Sequence, residues 1–223
     1  MLIDLSVFPL GNEQAVMDME VILATRNRDK ARELKALLDG SHMEGLALDD
    51  IDPEEKIPEI EESGSSLREN AFIKARRVFS LTRRPTIGDD TGLEVDALNG
   101  APGIFSARYA GDGCSYKDNV RKLLSDLVAV PPKRRTARFR TAVCYVDGQQ
   151  ELWVEGVVEG MITEKPVGDR GFGYDPVFYI PEYDKTYAQL SGEEKNRWSH
   201  RGKAMRKLSD LLSQKIVPSE KPS

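Results

Sequence analysis

The stretch from 136 to 162 constrains the fold more than any other. In TARFRTAVCYV, Ala137, Phe139, Thr141, Val143 and Tyr145 fall on one side of a period-two pattern, and Arg138 and Arg140 on the other. That pattern predicts a strand over 136–146. Asp147-Gly148 is a hairpin turn signal, and residues 151–162 are expected to return as a second strand. Elsewhere helical and strand patterns interleave, so an antiparallel pair here makes the sheet mixed.

The remaining elements follow from local signals. Val21-Ile22-Leu23-Ala24 reads as a short buried strand. A helix over 28–39 follows, with Ala31, Leu34, Leu37 and Leu38 on one face and Asn27 as its cap. Ser66-Leu67-Arg68-Glu69 has the form of a capping box and opens a helix through about Phe79. Thr86-Ile87-Gly88 predicts a strand that ends at Asp89-Asp90. Ser115 caps a third helix whose Val120, Leu123, Leu124, Leu127 and Val128 are spaced to face a core. Val177–Ile180 predicts a further strand, and a last helix runs from Ser199 to Leu212. The expectation is an α/β fold with a mixed β-sheet, helices on both faces, and two lobes with a groove between them. Residues 19–216 form one α/β domain in this reading. Residues 1–18 are an appendage, with Met17 and Met19 as alternative starts, and the tail 217–223 (VPSEKPS) is frayed.

A chain of 223 residues suits one large domain or two small lobes. Its 39% of hydrophobic residues and 18 glycines suffice for a core and exclude wholesale disorder, coiled coils and disulfide scaffolds. No apolar run approaches the ~18 residues of a membrane span. The net charge of −5 leaves no global basic footprint for nucleic acid. The charge is segregated, however. Residues 41–70 carry ten acids against two bases, and residues 195–207 carry six bases and no acid. That suits a protein holding both a divalent cation and a polyanion, and equally two solvated faces. Two cysteines without a CxxC motif speak against a zinc or dithiol site and fit a reducing compartment. The first basic residue is Arg26, so the start lacks the charged region of a signal peptide, and a cytoplasmic location is expected.

Four constellations carry candidate chemistry. Thr25-Arg26-Asn27-Arg28-Asp29-Lys30 lies between a strand and a helix start, where free N–H groups and basic side chains would cradle phosphate; it also reads as an ordinary capped helix. Glu61-Glu62 with Asp89-Asp90 offers hard oxygen ligands of the kind Mg²⁺ takes, or an acidic loop and a turn. Gly171-Phe172-Gly173-Tyr174-Asp175-Pro176 holds an aromatic between glycines, placed to stack on a base or to enter a core. Lys195-Asn196 and Ser199-His200-Arg201-Gly202-Lys203 gather donors at a helix start, where bases are unfavourable unless an acceptor-rich ligand answers them.

Together these describe a nucleotide site. The stretches VILATRNRDKARELKALL, EESGSSLRENAFIKAR, DDTGLEVDALNGAPGIFSARYAG, GFGYDPVF and EKNRWSHRGKA occur in that order. Over roughly 21–212 the chain resembles the Ham1-like family of inosine triphosphate pyrophosphatases. Each stretch is weak alone; the ordered set is specific. The resemblance implies an elongated mixed sheet with two lobes around a central substrate cleft. It implies hydrolysis of ITP, dITP and XTP to monophosphate and pyrophosphate with Mg²⁺, in a homodimer. By the same resemblance Thr25, Arg26, Asn27, Arg28, Asp29, Lys30 and Lys74 would bind the triphosphate. Glu62 and Asp90 would hold the metal, with Asp90 also the proton acceptor, and Thr91 would contact substrate. Phe172 would stack on the base, with Gly173, Tyr174 and Asp175 completing that wall, and Lys195, His200 and Arg201 would meet the base. Asp29 stands where the family usually has Gly, Thr91 where it has Ser, and Leu67 where an aromatic is frequent.

Three other readings compete on the residues. A Maf-type pyrophosphatase for modified pyrimidines is disfavoured by the GFGYD and SHR pair. A nucleotide sensor without turnover is disfavoured by intact Glu62 and Asp89-Asp90. A nucleic-acid binder using 133–140 and 195–207 would show steep salt dependence and conflicts with the acidic total.

Overall fold

The computed structural model describes residues 19–216; the terminal segments 1–18 and 217–223 lie outside the described residues. Eight strands form one sheet: β1 Met19–Leu23, β2 Met43–Ala47, β3 Thr86–Val95, β4 Pro102–Gly103, β5 Thr136–Val146, β6 Glu151–Ile162, β7 Phe178–Ile180 and β8 Lys185–Thr186. Their order is β2-β1-β3-β5-β6-β7-β8, with β4 on β3. β1 pairs parallel with β2 and β3, and every later pairing is antiparallel, so the sheet is mixed as expected. The hairpin is the largest unit of the sheet, β5 pairing with β6 from Thr136↔Met161 to Val146↔Glu151. Its turn is held by Asp147, whose Oδ1 accepts from the N–H groups of Gln149 and Gln150.

The helices are α1 Arg28–Leu38, α2 Leu48–Ile51, α3 Leu67–Thr82, α4 Tyr116–Asp126, α5 Gly192–Trp198 and α6 His200–Ile216. α1 and α6 cover one sheet face, burying Leu34, Leu38, Ala204 and Leu208 against Val21, Leu23, Ile87, Val143 and Val154. α3 covers the other, with Ala71 and Ala75 against Ala142, Cys144 and Val146. This second helix layer explains why the strict alternation in β5 is lost after Arg140: Ala142, Cys144 and Val146 face α3, whereas Arg138 and Arg140 lie in an ion-pair net with Glu94, Asp96, Glu155 and Glu159. A separate core joins α4 to the far ends of β3, β5 and β6 through Leu93, Phe139, Val158, Leu123 and Leu127.

Several expectations need correction. Val128 is 80% exposed because α4 stops at Asp126, so the helical phase no longer applies there. The box at Ser66 is shifted: Ser66 Oγ accepts from Glu69 N–H, but Glu69 accepts from Ser65, one residue further back. α3 continues to Thr82, and the last helix runs to Ile216 behind a separate short α5. Most important for function, β3 does not end at Asp89-Asp90 but runs through to Val95. The strand that ends there is its neighbour. On β3, β1 pairs with Thr86 and Ile87 only, and the pairing with β4 begins at Leu93, so on that side residues 88–92 of β3 have no strand partner. The carboxylates emerge where the sheet opens.

Candidate active site

Each side of that opening contributes side chains. After β1 the chain turns through Ala24–Asn27 into α1, and Asn27 Oδ1 accepts from the N–H groups of Asp29 and Lys30. The cap therefore occupies two of the backbone donors assigned to phosphate. Lys30 reaches across the opening: its Nζ lies 3.2 Å from Asp89 Oδ1 and 4.0 Å from Asp90 Oδ1. From α3, Lys74 Nζ lies 2.6 Å from Glu62 Oε1 and 3.5 Å from Asp90 Oδ1. Asn70, one turn before Lys74, donates to Asp90 Oδ2 at 3.1 Å. Gly88 makes this possible. A Cβ there would run into the carbonyl of Ala71 and the N–H of Ala75, so only glycine lets α3 lie this close to β3.

Burial pushes the Asp90 carboxyl up, and Lys74 and Lys30 offset this only in part, with Glu62 and Asp89 adding to the rise. At Asp89 burial acts in the same direction, but Lys30, Arg201 and Lys74 outweigh it and hold the carboxyl far below its ordinary range. Burial disfavours the Lys74 ammonium, and Asp90 and Glu62 outweigh that, so its pKa is raised. The result is a permanent anion beside a carboxyl able to take up a proton, flanked by two lysines.

Glu62 adds to the cost of ionising Asp90, and the two share one lysine, a donor set that gains from a hard cation. Among the described residues no three His, Cys, Asp or Glu side chains gather closely enough to enclose a metal. Two carboxylates could hold a divalent cation that keeps waters and takes phosphate oxygens, rather than one that needs an all-protein cage.

At the other end, residues 171–175 form a tight turn in which Asp175 Oδ2 accepts from Phe172 N–H at 2.7 Å and from Lys195 Nζ. Tyr174 donates to the carbonyl of Ser106 at 3.0 Å. Lys195 Nζ lies 5.0 Å from the centroid of the Phe172 ring. Arg201 is 2% exposed and donates from Nε to Asp89, from one terminal nitrogen to Glu33 and from the other to Thr91. His200 is stacked on Phe139 with centroids 4.6 Å apart. Burial drives its pKa well down, with Arg201 and Lys195 adding to the effect, so the imidazole is neutral. Its Nε2 is buried without a partner. Tyr187 OH lies 3.4 Å from Nδ1; a Tyr187 that donates there leaves the ring proton on Nε2.

One cavity of about 480 Å³ joins the two ends, within the ~300–1,000 Å³ common for ligand sites. It is lined by Thr25, Arg26, Asn27, Lys30, Glu62, Lys74, Asp90, Thr91, Phe172, Gly173, Tyr174, Asp175, Lys195, His200 and Arg201. Arg28 and Asp29 are not brought in: Arg28 points out toward Asp49, and Asp29 pairs with Arg32. Arg26 lines the cavity, but its guanidinium is spent on Asp52, Asp49 and the carbonyl of Ile57, bracing the acidic loop that leads to Glu62. The sequence reading missed Glu33, which accepts from both Lys195 and Arg201. It also missed Asn70. The available signal was helical phase: Glu33 is one turn beyond Lys30, and Asn70 one turn before Lys74.

A mixed α/β sheet that opens onto lysines and carboxylates at one end of a cleft and an aromatic with buried donors at the other defines a nucleotide-binding protein of the phosphate-processing type. The model of the Ham1 family matches residues 21–211. A dITP/XTP pyrophosphatase of Bacillus licheniformis is 49% identical over 87% of this chain and 98% of that protein. One of Bacillus subtilis is 44% identical over 86% and 96%. A HAM1 protein structure from Coxiella burnetii superposes with a TM-score of 0.77 at 39% identity, covering 88% of this chain and 99% of that one. The chain belongs to the Ham1 family.

Proposed function

We propose that the chain hydrolyses the non-standard purine nucleoside triphosphates ITP, dITP and XTP to the monophosphate and pyrophosphate, removing them from the nucleotide pool. One observation carries this reading: a single cavity places Lys30, Lys74, Glu62 and Asp90 at one end and Phe172 with the unpartnered His200 Nε2 at the other. The names of the relatives support the same activity.

In this reading Lys30 and Lys74 neutralise the triphosphate and the departing pyrophosphate. Asp90, held by Asn70, orients a water toward the α-phosphorus and accepts its proton, which its raised pKa suits. Glu62 and Asp90 would hold a divalent cation, Mg²⁺ by ligand type, which when bound offsets charge on the phosphate oxygens. The base stacks on Phe172. Hypoxanthine and xanthine carry a 6-carbonyl, which accepts hydrogen bonds; adenine carries an amino group, which donates. His200 Nε2–H and the remaining N–H groups of Arg201 are donors, so adenine leaves donors facing donors at ~1–3 kcal/mol for each lost bond. Two such mismatches give ~10²–10⁴ discrimination.

Further proposals accompany this one. Residues 19–216 act as one catalytic domain to which 1–18 and 217–223 add little, the chain is cytoplasmic, and it is a homodimer whose mass light scattering would read. No helix among the described residues is long and apolar enough to cross a membrane. Nucleic acid is not a partner in this reading: Lys195 and Arg201 of the basic stretch are buried in ion pairs, and Lys203, Arg206 and Lys207 donate to backbone carbonyls. The deciding experiment is a panel of nucleoside triphosphates with Mg²⁺, scored for pyrophosphate against orthophosphate. Pyrophosphate from dITP, ITP and XTP with slow ATP turnover is expected. Orthophosphate as the first product would overturn the reading.

A further inference from the structure

The two ends of the cavity are bridged by a residue that neither end accounts for. Tyr116 is the first residue of α4 and lines the cavity. Its hydroxyl accepts from Asn27 Nδ2 at 2.9 Å, in the segment assigned to the triphosphate. Its ring centroid is 5.7 Å from that of Phe172, assigned to the base. The two rings are too close for a base to lie between them, since each stacked contact takes up ~3.5–4 Å. Tyr116 therefore flanks the base platform rather than forming its second wall. In a nucleotide the part between the base and the phosphates is the sugar.

We propose that Tyr116 is the sugar-recognising residue of the site: its ring packs on the apolar face of the pentose and its hydroxyl donates to the 3′-hydroxyl. The chemistry of the phenol fits, because one that accepts from Asn27 keeps its own proton on the other side, where it faces the Asp29 carboxylate and a sugar hydroxyl would compete for it. Burial raises the Tyr116 pKa and Asp29 adds to the rise, against the lowering by Asn27, so that proton is kept. The choice of the 3′-hydroxyl follows from the substrates that the relatives are named for, one a deoxyribonucleotide and the other a ribonucleotide. A site serving both must hold what both sugars share. α4 is anchored for this role by Asn119, which accepts from Ala110 N–H at 2.8 Å and donates to the carbonyl of Ala107 at 3.0 Å.

The inference rests on the proposed activity, and wild-type turnover of dITP tests that activity separately. The test of Tyr116 compares dITP with 2′,3′-dideoxy-ITP in the wild type, Tyr116→Phe and Tyr116→Ala. The wild type is expected to show a KM about 3- to 10-fold higher for the dideoxy compound, the scale of one net hydrogen bond. In Tyr116→Phe that ratio falls to about 1, because the donor is gone while the ring stays. Any disturbance of Asn27 acts on both substrates and cancels in the ratio. Tyr116→Ala raises KM for both compounds and leaves kcat within about 3-fold, as expected for loss of a contact made equally in ground and transition states. An unchanged dITP to dideoxy-ITP ratio in Tyr116→Phe, or an unchanged dITP KM in Tyr116→Ala, overturns the proposal.

Discussion

Asp89 and Asp90 are neighbours on β3, yet their carboxyls are driven in opposite directions, Asp89 far down and Asp90 up. The difference comes from the side of the strand each occupies. Asp89 shares Thr91's face and meets Arg201 at 3.1 Å as well as Lys30. Asp90 faces α3, where it finds Asn70 and the lysine that Glu62 already holds. Adjacent carboxylates thus differ in kind: one is a fixed counter-ion for the buried Arg201, and the other is held in the range where it can take up a proton.

That division predicts unequal effects of charge removal. Asp90→Asn keeps the shape and the Asn70 contact but cannot take a proton. Turnover of dITP is expected to fall ~10²-fold or more, the scale of a lost acid–base group, with nucleotide binding retained. Steady-state kinetics with a binding isotherm for the monophosphate checks it; near wild-type turnover in folded protein would exclude Asp90 as the proton acceptor.

Glu33 ties Lys195 to Arg201 and is held ionised against its burial by those two cations. Glu33→Gln removes the charge and one of the two acceptor oxygens, so one of the two buried cations loses its bond to residue 33 and meets an amide N–H₂ instead. Breaking one partner of a buried ion network costs about 3 kcal/mol. Urea unfolding would show this as a lower midpoint at unchanged slope. The ITP to ATP preference should shrink in parallel, since that cation loses its fixed position.

Gly88 sets the spacing between β3 and α3. Gly88→Ala puts a methyl against the Ala71 carbonyl and the Ala75 N–H. Backbone cannot turn aside as a side chain can, so α3 must move outward, at ~1–3 kcal/mol. Because Asn70 and Lys74 ride on α3, turnover should fall by more than the stability loss explains. Full activity at a temperature where the variant is folded would show that α3 spacing does not set Asp90's contacts.

Much of this was legible in the sequence because it depends on local chemistry. The Asn27 and Ser115 caps, the 136–162 hairpin and the carboxylate and aromatic motifs all declare themselves within a few residues. What was not legible depends on neighbours distant in the chain. Residues 88–92 look like a strand end but are a strand whose partner stops, and only the pairing of Ile22 and Leu23 with Thr86 and Ile87 shows it. Arg26 looks like a phosphate ligand until Asp52 and the Ile57 carbonyl claim it. Glu33 is unremarkable in a helix of mixed charge until α5 and α6 bring Lys195 and Arg201 to it. β2, with Gly45 at its centre, has too weak a strand pattern to stand out without β1 beside it.

The last prediction concerns pH. His200 is buried and its pKa lies well below the ordinary 6.5, first because burial disfavours the imidazolium and then because Arg201 and Lys195 repel it. In the unfolded chain the same histidine titrates near ~6.5. Below that pH the unfolded state binds a proton that the folded state refuses, so stability falls as pH falls. The contribution is fully present above ~6.5 and is lost at up to ~1.4 kcal/mol per pH unit beneath it. Between pH 6.5 and 5 this amounts to ~2 kcal/mol. His200→Gln keeps a polar group of similar reach and removes the titration. Carboxyls such as Asp90 and Asp175, raised by burial, act in the opposite sense but are common to both proteins, so they cancel in the difference. The gap in unfolding free energy between wild type and His200→Gln should therefore narrow as pH drops from 7 to 5. A gap that stays constant over that range in chemical denaturation would show that His200 can be protonated in the folded state, and would remove the argument that it meets the base as a neutral donor.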